Sequence, residues 1–276
     1  GNTGKLQKQE HGGQTVLMTK VVDNMKDISS DAVALMDLEG TLTYGKRKAP
    51  EKAEPIHMRK LLEGETLEGE VEIGYWSGIH LLSGEPPKSY FSRVKDWKDN
   101  KINTEEFEAK NLKLWNNMIQ NSSFRTTGEF IEWYNTRFLD LRDKAEKLIE
   151  MCQSKGFETG IVSHTSTSLS KHAAQKHGIE YVFPTWMLEF DEDGFSSPEK
   201  TKYADEKSHL LEDLKQTGVE QIVFFGNGEN DVNIAQQADK SYMVENREEV
   251  DYRNLNAFTG IFEQVLEEFQ NNKVAG

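Results

Sequence analysis

Apolar residues recur along this chain in two rhythms. Short continuous runs cover 32–37, 157–163, 181–183, 221–225 and 241–244. Runs of this length, rich in Val, Ile and Phe, read as strands buried on both faces. Between them lie stripes with a helical period. Ala145, Leu148, Ile149 and Cys152 form one, with Gly156 placed as its stop. Others follow Ser163, run around 208–214 and begin after Asp231. The chain closes on a stripe of Phe258, Ile261, Phe262, Val265, Leu266 and Phe269. Strands alternating with helices predict an α/β fold, a Rossmann-like doubly wound parallel sheet.

From about residue 45 to 137 the rhythm changes. Asn103 and Glu106 stand as N-cap and N3 of a helix carrying Phe107, Leu114, Trp115 and Met118 on one face, and a second run carries Phe130, Ile131, Trp133, Tyr134 and Phe138. Gly74, Gly78, Gly84, Pro86 and Pro87 predict turns or irregular connections before them. This block reads as an inserted helical module at 45–137, interrupting a core domain of 13–44 and 138–276 behind a flexible tail at 1–12. Its aromatics, including Tyr75, Trp76, Trp97, Trp115 and Trp133, are expected to form the module's own core, with a homodimer surface as their other use.

Composition narrows the partners. With 47 acidic and 33 basic residues the net charge is −14, which repels nucleic acid and anionic lipid as general partners but leaves room for a local pocket taking one small phosphate. A single cysteine, Cys152, excludes an intrachain disulfide framework and a cysteine zinc cluster. No apolar run approaches the roughly 18 residues of a membrane span. The expectation is a soluble, cytoplasmic protein.

Candidate chemistry gathers where these strands end. Asp37 and Glu39 close the first run, two residues apart, where extended geometry puts both carboxylates on one side of the chain. They are placed to share a divalent metal or to divide nucleophilic and acid/base roles. Ser163 ends the second run and opens a hydroxyl-rich turn, His164, Thr165, Ser166 and Thr167, which suits an oxyanion pocket or a helix cap. Gly226 to Asp231, Gly-Asn-Gly-Glu-Asn-Asp, ends another run with a density of oxygen donors suited to a hard cation such as magnesium. Lys207 precedes that strand and gains meaning only from its order relative to the rest.

These segments, Asp37-Leu-Glu39-Gly-Thr41-Leu, Ser163, Lys207 and Gly226-Asn-Gly-Glu-Asn-Asp231, occur in the order of the motifs of the haloacid dehalogenase superfamily. The chain resembles its phosphatases, in particular the phosphoserine phosphatase-like branch with a helical cap. The resemblance spans about residues 32 to 245, and the insert falls where that branch carries its cap. It implies a Mg²⁺-dependent phosphomonoesterase acting on a small phosphorylated metabolite through an aspartyl-phosphate. Asp37 would be the nucleophile, Glu39 the acid/base, and Ser163 and Lys207 the holders of the phosphoryl oxygens. Mg²⁺ would be held by Asp37, the Glu39 carbonyl and Asn227, with Asp231 in support. Substrate contacts would come from Thr41, His164, Thr165 and Asn230, and from Arg93 in the cap, which would move about hinges near Gly45 and 136–141.

Departures from the family pattern are informative. Glu39 stands where an aspartate is usual, and keeps the titratable group. Asn227 replaces a carboxylate ligand by an amide, which keeps an oxygen but removes a charge and predicts weaker metal binding. His164 and Thr165 fill space that glycines leave open in phosphoserine phosphatases, which argues for a different phosphomonoester. The other reading is a catalytically weak or inactive relative that binds a phosphorylated ligand or a protein partner.

Overall fold

The computed structural model describes residues 9–11, 14–16 and 19–272. Seven strands form an entirely parallel sheet: β1 (Lys20–Val21), β2 (Ala32–Met36), β3 (Glu158–Val162), β4 (Tyr181–Phe183), β5 (Gln221–Gly226), β6 (Lys240–Val244) and β7 (Phe258–Gly260), in the order β7-β6-β5-β2-β3-β4-β1. The order reverses at β2, flanked by β3 on one side and β5 on the other. A crevice at the carboxyl ends of strands at such a reversal is where open α/β sheets place their ligands.

Valine, isoleucine, leucine and phenylalanine fill the strands because both faces are covered. Val33, Leu35, Ile161, Val162, Ile222 and Phe224 are all buried. Gly160 is required within β3, since a Cβ there would lie 2.5 Å from the Phe183 ring on the neighbouring strand. Helices Ala145–Ser154, Thr167–His177, His209–Gln216 and Phe262–Asn271 bury the stripes that the sequence marks.

The chain divides into two compact units. The first holds residues 1–44, 141–186 and 200–276, and the second holds 45–140 and 187–199. Segment 187–199, assigned with the core from the strand–helix rhythm, therefore belongs to the second unit. Its anchor is Phe195, which packs edge-on against Trp115 and Phe130, while Asn116 accepts from the Phe195 N–H at 2.7 Å and donates to its carbonyl.

Besides segment 187–199, the second unit holds an antiparallel strand pair, Arg47–Ala49 with Val71–Ile73, and helices Pro55–Leu62, Tyr75–Leu82, Pro87–Lys98, Thr104–Gln120 and Thr127–Phe138. Asn103 and Glu106 cap the fourth helix reciprocally, at 2.8 and 3.1 Å. Gly78 does not mark a turn. It sits inside the second helix because that face packs too tightly for a side chain: a Cβ would lie 2.3 Å from the Tyr134 hydroxyl and 2.8 Å from Met58. Pro87 likewise opens a helix, at the first position, where a missing N–H costs nothing. Tyr75, Trp115, Phe130, Tyr134 and Phe138 are buried together, so these rings are consumed internally.

Two end assignments also change. Phe258 belongs to β7, which pairs with β6, and the last helix starts at Phe262 while Ile261 faces solvent. Within the stretch 1–12, expected to be loose, residues 9–11 pair antiparallel with 14–16, and the remaining positions lie outside the described residues. Among the described residues no helix is long and apolar enough to cross a membrane.

Candidate active site

Three strand ends build the site. The Asp37 N–H donates to the Phe225 carbonyl at 2.9 Å, extending the β2–β5 ladder by one bond and fixing the aspartate at the sheet edge. Beyond it the chain turns sharply: Glu39 is still extended, and Gly40 adopts φ +83°, a left-handed conformation that favours glycine. Ser163 follows β3 directly and Asn227 follows β5 directly.

Lys207 ties two of these loops together, those that follow β2 and β5. It is only 1% exposed, and its Nζ donates to Asp231 Oδ1 at 2.7 Å and to Asp37 Oδ1 at 3.2 Å. Asp231 Oδ2 accepts from the backbone N–H groups of Asn227 and Gly228, at 3.0 and 3.1 Å. Asp231 is therefore fully engaged by cationic and dipolar donors and is itself completely buried. One ammonium faces two carboxylates. Burial, and next the charge of Asp231, push the Asp37 carboxyl up to about 7 against the pull of Lys207. Lys207 is held above its ordinary value because the two carboxylates outweigh the cost of its burial.

Ser163 is buried, and its Oγ accepts from the Thr165 N–H at 3.3 Å while Thr185 donates to its carbonyl. Capping of the following helix falls to Ser166, whose Oγ accepts from the Leu169 N–H at 3.2 Å. The cap is thus three residues beyond Ser163. His164 is half-buried, and burial together with the charge of Lys207 lowers its imidazole to about 4. It is neutral at physiological pH. Thr165 is buried and donates to the Ser166 carbonyl at 3.3 Å.

Asn227 is 5% exposed and accepts from the Thr41 hydroxyl at 3.2 Å. Thr41 thereby orients the Asn227 amide. Asn230 is exposed on the short turn 229–231. Arg93 is committed elsewhere. Within the second unit its guanidinium forks onto Glu85 and also donates to Asn111 Oδ1 at 2.6 Å and the Phe107 carbonyl at 3.3 Å. Its four hydrogen bonds therefore go to Glu85, Asn111 and Phe107 of the same unit.

Three further residues hold the site and leave little mark in the sequence. Arg142 donates to the Thr41 carbonyl at 2.9 Å and the Gly40 carbonyl at 2.8 Å, and stacks over the rings of Tyr44 and Phe262. Asn246 and Tyr252, after β6, reach Asn227 by hydrogen bonds. Only the placement of Asn246 just past an apolar run hints at this.

A hard divalent cation would find a carboxylate at Asp37 and an amide oxygen at Asn227, and the Glu39 carbonyl would be the further donor that the family resemblance implies; Mg²⁺ commonly takes one or two carboxylates plus waters and phosphate oxygens. No cluster of three or more His, Cys, Asp or Glu side chains suited to a metal occurs among the described residues, so the set depends on these mixed oxygens.

Comparison with known proteins places the chain in a family and a fold. The model of a family described as haloacid dehalogenase-like hydrolase matches residues 32–239. No curated protein sequence matches the chain. Among solved structures, a phosphoserine phosphatase from T. onnurineus in complex with NDSB-201 is 15% identical, covering 88% of this chain and 96% of its own, with a TM-score of 0.51. A substrate-bound phosphoserine phosphatase complex is 17% identical over 87% of this chain and 97% of its own, with a TM-score of 0.52. A HAD family hydrolase from Salmonella enterica subsp. enterica serovar Typhi is 11% identical over 89% and 72%, with a TM-score of 0.54. At such identities the likeness establishes a shared fold.

Proposed function

The chain belongs to the haloacid dehalogenase-like hydrolase family, and from that premise we propose that it is a Mg²⁺-dependent phosphomonoesterase that works through an aspartyl-phosphate on a small phosphorylated metabolite. The observation that carries this reading is Lys207, buried between Asp37 and Asp231 at the carboxyl edge of the sheet. A nucleophilic carboxylate held beside a fixed ammonium suits attack on a dianion, because the ammonium offsets the repulsion between them.

Asp37 attacks phosphorus, and the bond to the ester oxygen breaks as Glu39 donates its proton to the leaving alkoxide. Glu39, now ionised, takes a proton from water, whose oxygen attacks phosphorus and breaks the bond to Asp37. Inorganic phosphate leaves and both carboxyls return to their starting states. Ser163 and Lys207 hold the phosphoryl oxygens, and Asp231 keeps Lys207 in place. Asp37, the Glu39 carbonyl and Asn227 would hold Mg²⁺, which supplies positive charge to the phosphoryl oxygens.

The neighbours of similar fold include phosphoserine phosphatases, but the position after Ser163 carries a neutral imidazole where the family resemblance leads one to expect glycine. This supports a different phosphomonoester, one whose polar group accepts or donates to His164. A catalytically weak relative that binds a phosphorylated ligand is the second reading, and the observation in its favour is the amide at Asn227. A panel of phosphorylated metabolites with Mg²⁺, run on the wild type and Asp37→Asn, separates the two. Hydrolysis lost in the variant supports the enzyme, and retention of a bound phosphoester without turnover supports the alternative.

A further inference from the structure

A run of amides links the backbone of the first loop to position 227. The Gly40 carbonyl can only accept, so the end of Asn246 that lies 2.7 Å from it is Nδ2. Asn246 Oδ1 then faces the other way, 2.9 Å from the side-chain amide of Asn227, which must answer with its own Nδ2. Asn227 Oδ1 is thereby turned to the opposite side, where Thr41 donates to it. The three anchor points follow β2, β5 and β6, adjacent strands of one parallel sheet.

Several contacts keep this run from reversing. Arg142 Nη2 also donates to the Gly40 carbonyl, at 2.8 Å, and fixes its direction. Turning Asn246 over would set its Oδ1 against that carbonyl oxygen. The Tyr252 hydroxyl donates to the Asn227 carbonyl and accepts from the backbone N–H groups of Asn246 and Arg247, at 3.4 and 3.2 Å, which keeps the two loops in register. Although Asn246 is solvent-exposed overall, its amide meets Asn227, which is not.

We propose that Asn246 is a positioning residue that fixes which end of Asn227 faces the reacting centre, so that position 227 is built for an amide and not for a carboxylate. The inference rests on the reading of the site as a cation-assisted phosphoryl-transfer site. A carboxylate at 227 offers no N–H to Asn246 Oδ1, and sets oxygen against oxygen where a hydrogen bond of 2.9 Å now stands. Asn246 can donate to such a carboxylate only by giving up Gly40. The amide is therefore matched to its neighbour, and adding a charge at 227 does not by itself improve the cation site.

The test is a double-mutant cycle of wild type, Asn246→Ala, Asn227→Asp and the double variant, with Mg²⁺ alone as probe in titration calorimetry on the full chain. With asparagine at 227, Asn246→Ala weakens Mg²⁺ binding roughly fivefold, the worth of one net hydrogen bond that sets the amide's orientation. With aspartate at 227, either oxygen serves, and Asn246→Ala leaves the affinity unchanged or tightens it. A general structural role would weaken binding equally in both backgrounds, and that result overturns the proposal. Thermal midpoints of the same four proteins without metal give a second readout. Asn227→Asp lowers the midpoint by roughly 2–4 °C when Asn246 is present and not when it is alanine; equal shifts again overturn it. If the wild type takes up no Mg²⁺, the phosphoryl-transfer reading fails, while the metal-free cycle still judges the amide relay.

Discussion

Replacing Lys207 by methionine isolates the feature on which the site turns. The side chain keeps its length and apolar stem but loses the charge that Asp37 and Asp231 share at 3.2 and 2.7 Å. Both carboxylates are nearly inaccessible, at 6% and 0% exposure, so water cannot take over the role of the ammonium. Asp231 retains two backbone donors, whereas Asp37 loses its side-chain cation altogether. Breaking a buried ion pair by removing one partner costs about 3–5 kcal/mol, a large share of the roughly 5–15 kcal/mol that stabilises a domain. Urea unfolding followed by circular dichroism at pH 8 checks this, and the midpoint is expected to fall accordingly. Asp37→Asn in the same background removes one of the two stranded anions, so the double variant recovers part of the loss, and the two changes are not additive. A Lys207→Met protein within about 0.5 kcal/mol of wild type, the ordinary range for an inconsequential surface change, would refute the electrostatic account of the site.

Gly40→Ala is expected to cost about 1–2 kcal/mol for the left-handed backbone and to displace Asn227, whose Nδ2 would lie 2.1 Å from the new Cβ; Mg²⁺ titration should show weakened binding even where the fold survives in circular dichroism. In the second unit, burial raises the Glu85 carboxyl, but the His80 ring 3.2 Å away and the hydrogen bonds from Arg93 outweigh this and hold it at about 2, below its ordinary 4.5. A depressed carboxyl contributes stability above pH 4.5 that is lost as pH falls toward 2, and burial of His80 holds it below 6.5, so its share is lost as pH falls below that value. Thermal midpoints plotted against pH should therefore decline below 6.5 and more steeply below 4.5, and Glu85→Gln should flatten the lower limb; an unchanged slope there would count against the Glu85 network.

What the sequence reveals of this site follows from how each residue acts. Asp37, Ser163 and Asn227 end apolar runs, so the strand pattern delivers all three to one edge. Lys207 lies off the strands, and only its order in the chain draws attention to it. Arg142 and Asn246 act through the carbonyls of Gly40 and Thr41, about 100 and 206 positions away along the chain; a carbonyl is common to every residue, so no side-chain pattern records such a pairing. Gly78 reads as a turn because glycine usually marks one, and the reason it sits in a helix is the Tyr134 hydroxyl across the packed face. Arg93 reads as a free cation until Glu85, eight residues before it, is seen to take its fork. The segment 187–199 follows a strand and shares the core's polar–apolar rhythm, and its allegiance is decided by the partners of Phe195.

In the proposed mechanism Asp37 carries the phosphoryl group between two half-reactions. Rapid acid quench of the Mg²⁺-loaded protein with a hydrolysed phosphoester, followed by peptide mass spectrometry, tests it directly. A phosphoryl group is expected on the peptide containing Asp37, labile to hydroxylamine, accumulating in Glu39→Gln and absent from Asp37→Asn. Turnover that persists in Asp37→Asn, or a phosphoryl group found on another residue, would contradict it.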